Sequence, residues 1–223
     1  MNVWQQQWQA VRQRITELAQ QHGREAAEVQ LLAVSKTFPA SAVVAVAQLG
    51  QRHFGENYIQ EGIDKMAQVA ESLPQLSADL RWHCIGPIQS NKTRLVAEHF
   101  DWVHTLDRLK IAQRLSEQRP AHLDDLQVLI QVNLDGGPNK SGVPPSEVLA
   151  LAQAIQALPR LCLRGLMSIP EPHDDPSVML DLHRQLHQLR VDVGRALGAP
   201  AFNQLSMGMS ADMATAIEAG STW

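Results

Sequence analysis

The chain has 223 residues, and 44% of them are hydrophobic, which is enough to bury a core without disulfides or a structural metal. A net charge of −4, from 23 acidic and 19 basic side chains, argues against nucleic acid as a partner. The sequence contains neither a signal-peptide pattern nor an apolar run long enough to cross a bilayer, so we expect no membrane association. Cys84 and Cys162 form neither a disulfide framework nor a metal motif, which favours the reducing cytoplasm.

The predicted secondary structure begins with a helix over residues 3–20, where apolar residues recur at steps of three and four. Seven short apolar segments that read as strands follow, and each is succeeded by a helical segment. The predicted strands are 31–34, 52–54, 82–85, 102–104, 128–132, 163–167 and 203–206. The helices after them are 40–49, 57–71, 88–99, 107–118, 144–157, 176–197 and 211–219.

This alternation predicts an α/β protein with a parallel sheet, because parallel strands need helical crossovers. Seven units are compatible with a (β/α)8 barrel or with an open doubly wound sheet, and we expect one domain over residues 1–223. The chain reaches residues 221–223 at the point where an eighth strand of a barrel should begin.

Polar and small residues follow the predicted strands. In both architectures the carboxyl ends of the strands form the edge that binds ligands, so these residues should gather on one rim. The positions concerned include Lys36, Asn57, Gly86, His104, Asn133, Met167, Ser168, Ser206, Met207 and Gly208.

Lys36 is one of only five lysines, and it directly follows a segment that we expect to be buried. Burial lowers the pKa of an amine and leaves it neutral, so that it can attack an aldehyde. The alternative is a lysine that extends to the rim and pairs with a carboxylate such as Glu56.

Residues 206–212, after the seventh strand, suggest a phosphate site. Gly208 would let the backbone approach a ligand closely, and Ser210 is predicted to cap the next helix, whose N-terminus could bind an anion. Barrels often bind phosphate after strands seven and eight, although Ser210 could also act as a cap alone. A reactive lysine and a phosphate site on one rim suit pyridoxal 5′-phosphate (PLP), or a sugar phosphate in a Schiff-base aldolase.

Other candidate residues are weaker. His183 and His187 have a helical spacing that can hold zinc, but no third ligand accompanies them, so we interpret them as a packed or solvated helix face and expect no metal site. Lys140 lies in a glycine-rich segment that reads as a loop or a flexible lid.

Five blocks, in their order and spacing, resemble the YggS/PROSC family of PLP homeostasis proteins. They are residues 32–37 (LAVSKT), 54–61 (FGENYIQE), 82–92 (WHCIGPIQSNK), 163–167 (LRGLM) and 205–213 (LSMGMSADM). The resemblance implies a single (β/α)8 barrel of the TIM type, like the N-terminal domain of alanine racemase. It implies PLP bound as a Schiff base on Lys36, with Asn57 beside the cofactor and with Ser206, Met207 and Gly208 on the phosphate. We add Met167, Ser168 and Ser210, which lie on the same predicted rim, to the cofactor-binding set.

The resemblance also implies a function. Such proteins carry or buffer PLP in vitamin B6 homeostasis, influence amino-acid pools and are regarded as lacking robust catalysis, so we expect no catalytic residue. Lys140 matches a family lysine implicated in cofactor transfer, which makes it a candidate second PLP site. We expect a monomer whose partners are PLP and PLP-dependent apo-enzymes. PLP racemases need acid/base groups on both faces of the substrate carbon, whereas this chain has only one tyrosine, Tyr58.

The chain departs from its relatives at three places, one of which is the loop of residues 136–138 before Lys140, where relatives often carry an acidic residue. Phe38 stands where many of them have a second lysine. Relatives also continue beyond the Gly-Ser-Thr motif, here residues 220–222, into a strand with an arginine near the ring nitrogen, so we expect the final strand to be missing and the barrel to be open. Three alternatives remain: a PLP-dependent racemase or decarboxylase that uses Lys36, a Schiff-base aldolase, and an interaction barrel with an empty site.

Overall fold

In the computed structural model, which describes residues 3–136 and 141–223, seven parallel strands form one sheet in chain order. The strands are β1 (Ala33–Val34), β2 (His53–Glu56), β3 (Arg81–Cys84), β4 (Trp102–Leu106), β5 (Leu126–Gln131), β6 (Leu161–Met167) and β7 (Gln204–Ser206). Because each strand pairs with the next one in sequence, the sheet curls in the manner of an α/β barrel.

A helix follows each of the seven strands and covers the outer face of the sheet, and one more helix precedes the first strand. The helices are α1 (Val3–Gln21), α2 (Ala40–Ala47), α3 (Ile59–Ser72), α4 (Thr93–His99), α5 (Leu109–Gln118), α6 (Val148–Gln156), α7 (Pro176–Leu197) and α8 (Met213–Glu218). Short 3-10 turns occupy Ala26–Glu28, Ser77–Asp79, Ser90–Lys92 and Pro145–Glu147. None of the helices within the described ranges has the length and apolar character that crossing a membrane requires.

The predicted fold is confirmed in its seven strand–helix units and in its single parallel sheet, and the described residues contain no eighth strand. The expectation of a buried first strand is wrong. Val34 in β1 is 43% exposed, and residues 31–33 are only partly buried. The reason is that β1 pairs with β2 alone among the described residues, which leaves its other edge without a neighbouring strand.

Residues 221–223 lie beside the free edge of β7. The backbone N–H of Trp223 donates to the carbonyl oxygen of Leu205 at 3.0 Å, and that of Met207 donates to the Trp223 carbonyl at 3.4 Å. On the opposite side, the N–H of Gln30 donates to the Thr222 carbonyl at 2.8 Å. These bonds tie the two ends of the sheet together at the position where the sequence predicted an eighth strand to begin.

Helices α1 and α8 cover the gap between β1 and β7. Their contact is a separate small core formed by Ile15, Leu18, Ala19, Val29 and Ile217. The main core lies between the outer face of the sheet and the other helices, while Trp102, Leu129, Met167 and Trp223 pack together inside the barrel. Side chains of α1 and α8 therefore cover the gap, and the cavity described below lies beneath them.

A substitution at Gly165 tests how tightly β6 and β7 pack. A Cβ atom at this position would lie 1.9 Å from the backbone oxygen of Gln204, so Gly165→Ala must displace a strand. We expect the free energy of unfolding, measured in urea, to fall by about 3 kcal/mol.

Gly23→Ala is the matched control, because Gly23 has a φ of +67° and open space around its missing Cβ. Alanine at this position should cost only about 1 kcal/mol of stability, from backbone strain. Equal losses in the two variants would contradict the packing between β6 and β7.

Candidate functional site

A cavity of about 810 Å³ opens at the carboxyl ends of the strands, between β1 and β7 and beneath α1 and α8. This volume lies in the range of small-molecule and cofactor sites. All eight residues predicted to bind a cofactor line it: Lys36, Asn57, Met167, Ser168, Ser206, Met207, Gly208 and Ser210. Lys140 lies outside the described residues.

Lys36 projects from the turn that follows β1, and it is exposed rather than buried, which corrects the expectation of a desolvated amine. Its exposure follows from the free edge of β1. The side chain makes no ion pair or hydrogen bond with any described residue. The alternative pairing with Glu56 is also wrong, because the Glu56 carboxylate already binds Lys65. The amine of Lys36 is therefore available to a ligand in the cavity.

A buried ion pair holds the turn that carries Lys36. The Nζ of Lys65, on α3, donates to Glu56 Oε1 and to the carbonyl oxygen of Ser35, each at 2.7 Å. The hydroxyl of Ser35 donates to the same carboxylate oxygen at 2.7 Å. Lys65 is 4% exposed and Glu56 is fully buried, so these bonds are shielded from competing water.

The next residue in the turn is also fixed. Thr37 has a φ of +66°, which is unfavourable for a β-branched residue, and its N–H donates to Glu61 Oε1 at 2.9 Å. Lys65 reaches the same oxygen at 3.2 Å. The hydrogen bond from Thr37, followed by the contact with Lys65, lowers the pKa of Glu61. Lys65 therefore links the residues on both sides of Lys36.

The segment after β7 lies directly against α8. A Cβ at Gly208, where φ is +89°, would come within 2.4 Å of the Ala216 Cβ, so only glycine allows this approach. The Met209 N–H donates to Asp212 Oδ1 at 2.6 Å. This arrangement holds the backbone of residues 206–209 open toward the cavity.

The prediction that Ser210 caps the following helix is wrong. Helix α8 begins at Met213, Asp212 occupies the N-cap position, and Ser210 is exposed. With six residues, α8 also carries too few aligned peptide dipoles to form an anion site by itself. Any phosphate contact at this rim must therefore come from the loop after β7.

His183 anchors this loop to α7, because its Nε2 lies 3.2 Å from Asp212 Oδ2. Burial disfavours the Asp212 carboxylate, but the hydrogen bonds from His183 and from the Met209 N–H outweigh it and lower its pKa. His187, one turn later, bonds to the Ala219 carbonyl at 2.6 Å. The histidine pair therefore packs α7 against α8, as the packed-face interpretation proposed.

Two buried polar atoms in residues that line the cavity have no hydrogen-bond partner within residues 3–136 and 141–223. They are the hydroxyl oxygen of Ser168 and the indole Nε1 of Trp223. Buried polar groups are normally satisfied, so these atoms suit a ligand that brings polar groups of its own. Together with the unpaired amine of Lys36 and the glycine-lined loop, they fit PLP.

Sequence reasoning missed a chain of histidines that crosses the barrel interior. His53 Nδ1 lies 2.9 Å from His83 Nε2, and His83 Nδ1 lies 2.8 Å from His104 Nε2. His104 Nδ1 lies 2.8 Å from the hydroxyl of Ser206. The available signal was one histidine in each of three consecutive strands, but only the strand register reveals that they meet.

These histidines are neutral at physiological pH. Burial, reinforced by Arg81, lowers the pKa of His53 to about 4, and burial lowers that of His104 to about 3. The pKa of His83 lies well below its usual value, mainly because of burial and then because of its histidine neighbours. The indole of Trp102 stacks on His83 with ring centroids 5.3 Å apart.

Residues 7–223 match the protein family described as alanine racemase, N-terminal domain. Solved alanine racemases share this fold at low identity. The enzyme of Clostridium difficile is 14% identical with a TM-score of 0.62, and the match covers 87% of this chain and 50% of that one. The class of protein is therefore a racemase-like α/β barrel.

Relatives of higher identity narrow this class. The pyridoxal phosphate homeostasis protein of Vibrio cholerae is 55% identical over 222 residues, covering 100% of this chain and 92% of its own. That of Escherichia coli K12 is 50% identical over 212 residues, covering 95% and 88%. PipY of Synechococcus elongatus, solved with PLP bound, is 35% identical with a TM-score of 0.80, covering 94% and 95%. The chain belongs to the family of pyridoxal phosphate homeostasis proteins.

The histidine chain predicts a pH dependence of stability. The folded-state pKa of His53, about 4, lies below its ordinary value of 6.5, so the unfolded state takes up a proton first on acidification. The contribution is fully present above pH 6.5 and is lost as the pH falls from about 6.5 to about 4. In urea titrations over this window, His53→Gln should make the decline shallower by about 1 kcal/mol per pH unit.

His99→Gln is the control, because His99 is exposed at the end of α4 and should leave the slope unchanged. Identical slopes for wild type and His53→Gln would show that His53 is charged in the folded protein.

Proposed function

We propose that this chain binds PLP through a Schiff base on Lys36 and carries or buffers the cofactor in intracellular vitamin B6 homeostasis, with effects on amino-acid pools. The observation that carries the proposal is that Lys36, whose amine has no partner among the described residues, and the loop of residues 206–208 line the same cavity. The relatives' name and the PLP-bound structure of PipY support the same cofactor.

Each residue has a definite part in this proposal. Lys36 would supply the amine, and Asn57 would contact the ring from a backbone packed closely against Gly86, where a Cβ atom would lie 2.0 Å from the Asn57 carbonyl oxygen. Ser206 would offer its hydroxyl group and Gly208 its backbone N–H to the phosphate, and Met207, whose own N–H donates to the Trp223 carbonyl, lines the cavity between them. When bound, PLP would supply an electron sink for amino-acid chemistry. The side chains around it determine whether that chemistry has a proton donor.

Ser168 and Met167 complete the site from the end of β6. The buried hydroxyl of Ser168 is a hydrogen-bond donor without a described partner, and Met167 packs behind it inside the barrel. Ser210 is exposed at the mouth of the cavity, so we assign it a peripheral contact.

The chemistry of the cavity supports binding without catalysis. Besides Lys36, the titratable residues that line it within the described ranges are His104 and Asp212. Both nitrogens of His104 are hydrogen bonded, and its low pKa keeps it uncharged. The Asp212 carboxylate is held by His183 and by the Met209 N–H. Neither group is placed to exchange a proton with a substrate carbon, as racemisation requires.

The wider role follows from the exposure of Lys36, which leaves the attachment point accessible to solvent and to acceptor molecules. We propose that PLP-dependent apo-enzymes receive the cofactor and that Lys140 takes part in the transfer.

We also propose that residues 1–223 act as one domain and as a monomer, because one sheet supplies every residue of the site. Two free cysteines are consistent with a cytoplasmic location.

Lys36→Ala tests the attachment. On addition of PLP, the wild type should develop the visible absorption of a protein-bound Schiff base, and Lys36→Ala should lose at least nine-tenths of it because no other amine lies in the described cavity. Borohydride reduction followed by peptide mass spectrometry should place the label on Lys36.

Lys110→Ala is the matched control, since Lys110 is exposed on α5 away from the cavity. Equal absorption in wild type and Lys36→Ala, with the label on another lysine, would overturn the proposed attachment.

A further inference from the structure

The histidine chain connects the cavity to the opposite end of the barrel. Ser206 stands at the carboxyl end of β7 and lines the cavity, whereas His53 stands at the amino end of β2 and is partly exposed. His83 and His104 between them are almost completely buried. A continuous series of three short hydrogen bonds therefore runs from a ligand site to a partly exposed histidine.

The chain of neutral imidazoles can adopt two hydrogen-bond directions. In the first, the hydroxyl of Ser206 donates to His104 Nδ1, and every histidine carries its hydrogen on Nε2. In the second, every histidine carries its hydrogen on Nδ1, and His104 donates to the oxygen of Ser206. Only the second direction frees the Ser206 hydroxyl hydrogen for a ligand.

We propose that His104, His83 and His53 form a proton relay that makes Ser206 a dedicated donor to the dianionic phosphate of the ligand. This inference rests on the proposed function, because it takes a phosphate ester as the group beside Ser206. His104 and His83 are then positioning residues, which act on the ligand through the serine hydroxyl.

The protons balance when the ligand arrives as a monoanion. Its ionisable proton passes to Ser206 Oγ, and the original hydroxyl proton passes to His104 Nδ1. His104 gives its Nε2 proton to His83 Nδ1, and His83 gives its Nε2 proton to His53 Nδ1. His53 releases its Nε2 proton to water. The protein carries the same number of protons before and after, and one proton moves from the phosphate to the solvent.

The surroundings of the chain favour a relay over a stored charge. Trp102 stacks on His83, and the ring of Trp223 contacts His53 and His83 at centroid distances of 4.7 and 5.0 Å. The charge of Arg81 further disfavours a cation on His53. Burial takes the imidazoles out of water and so disfavours an imidazolium inside the barrel, and a proton that enters at one end is best accommodated by release at the other.

Histidine tautomers can be read from ¹⁵N NMR of the ¹⁵N-histidine-labelled full chain, with inorganic phosphate, PLP, and pyridoxal, which lacks the phosphate. We expect all three histidines to change from the Nε2–H to the Nδ1–H form with phosphate and with PLP, and to stay unchanged with pyridoxal.

The variant His53→Gln removes the histidine that releases the proton to water. In it, the ³¹P signal of bound PLP should titrate at a pH about one unit higher than in wild type. His99→Gln should behave as wild type.

The outcomes separate the two proposals. PLP that attaches to Lys36 without any tautomer change would overturn the relay and leave the proposed function intact. Tautomers that respond to inorganic phosphate while PLP fails to attach would support the relay and overturn the proposed function. No tautomer change with either phosphate or PLP would overturn the relay, and so would an unshifted ³¹P titration in His53→Gln.

Discussion

The ion pair between Lys65 and Glu56 is the interaction on which the site depends. It lies between α3 and the end of β2, and the same ammonium group binds the carbonyl of Ser35. Removing one partner of a buried pair typically costs about 3–5 kcal/mol, because the other charge is left unpaired. The pair therefore fixes the turn after β1, a two-residue strand that pairs with β2 alone within the described part of the chain. Lys36 consequently has a rigid base and an exposed side chain.

This combination suits the carrier role that we propose for this barrel of the alanine racemase type. A catalyst needs a buried reactive centre with acid and base groups around it, whereas a carrier needs secure attachment and free access. The structure provides an accessible amine, a glycine-lined loop and two buried polar atoms, at Ser168 and Trp223, that have no partner among the described residues. His104 and Asp212 are hydrogen bonded to other side chains, so neither is free to exchange a proton with a substrate carbon.

The sequence predicted the order of elements well, because alternating short apolar runs and helical periods are local signals. It also placed Lys36 and Ser206 on one rim, since parallel strands share a ligand-binding edge. It did not predict the exposure of β1, which depends on a missing strand neighbour, or the role of Lys65, which reads as an ordinary helix lysine. The meeting of His53, His83 and His104 depends on strand register, which no local pattern encodes. The cap at Ser210 failed because Asp212 takes the N-cap position and α8 starts later.

Hydrogen exchange at Cα of an amino acid tests the central claim, binding without catalysis, most directly. The PLP-loaded protein would be incubated with L-alanine in D₂O, and loss of the Cα proton signal would be followed by ¹H NMR beside an equal concentration of free PLP. We predict the same slow exchange in both samples, because no described residue that lines the cavity, apart from Lys36 itself, is a free acid or base. Exchange at least a hundredfold faster with the protein, and lost in Lys36→Ala, would show that the site is catalytic and would contradict the account.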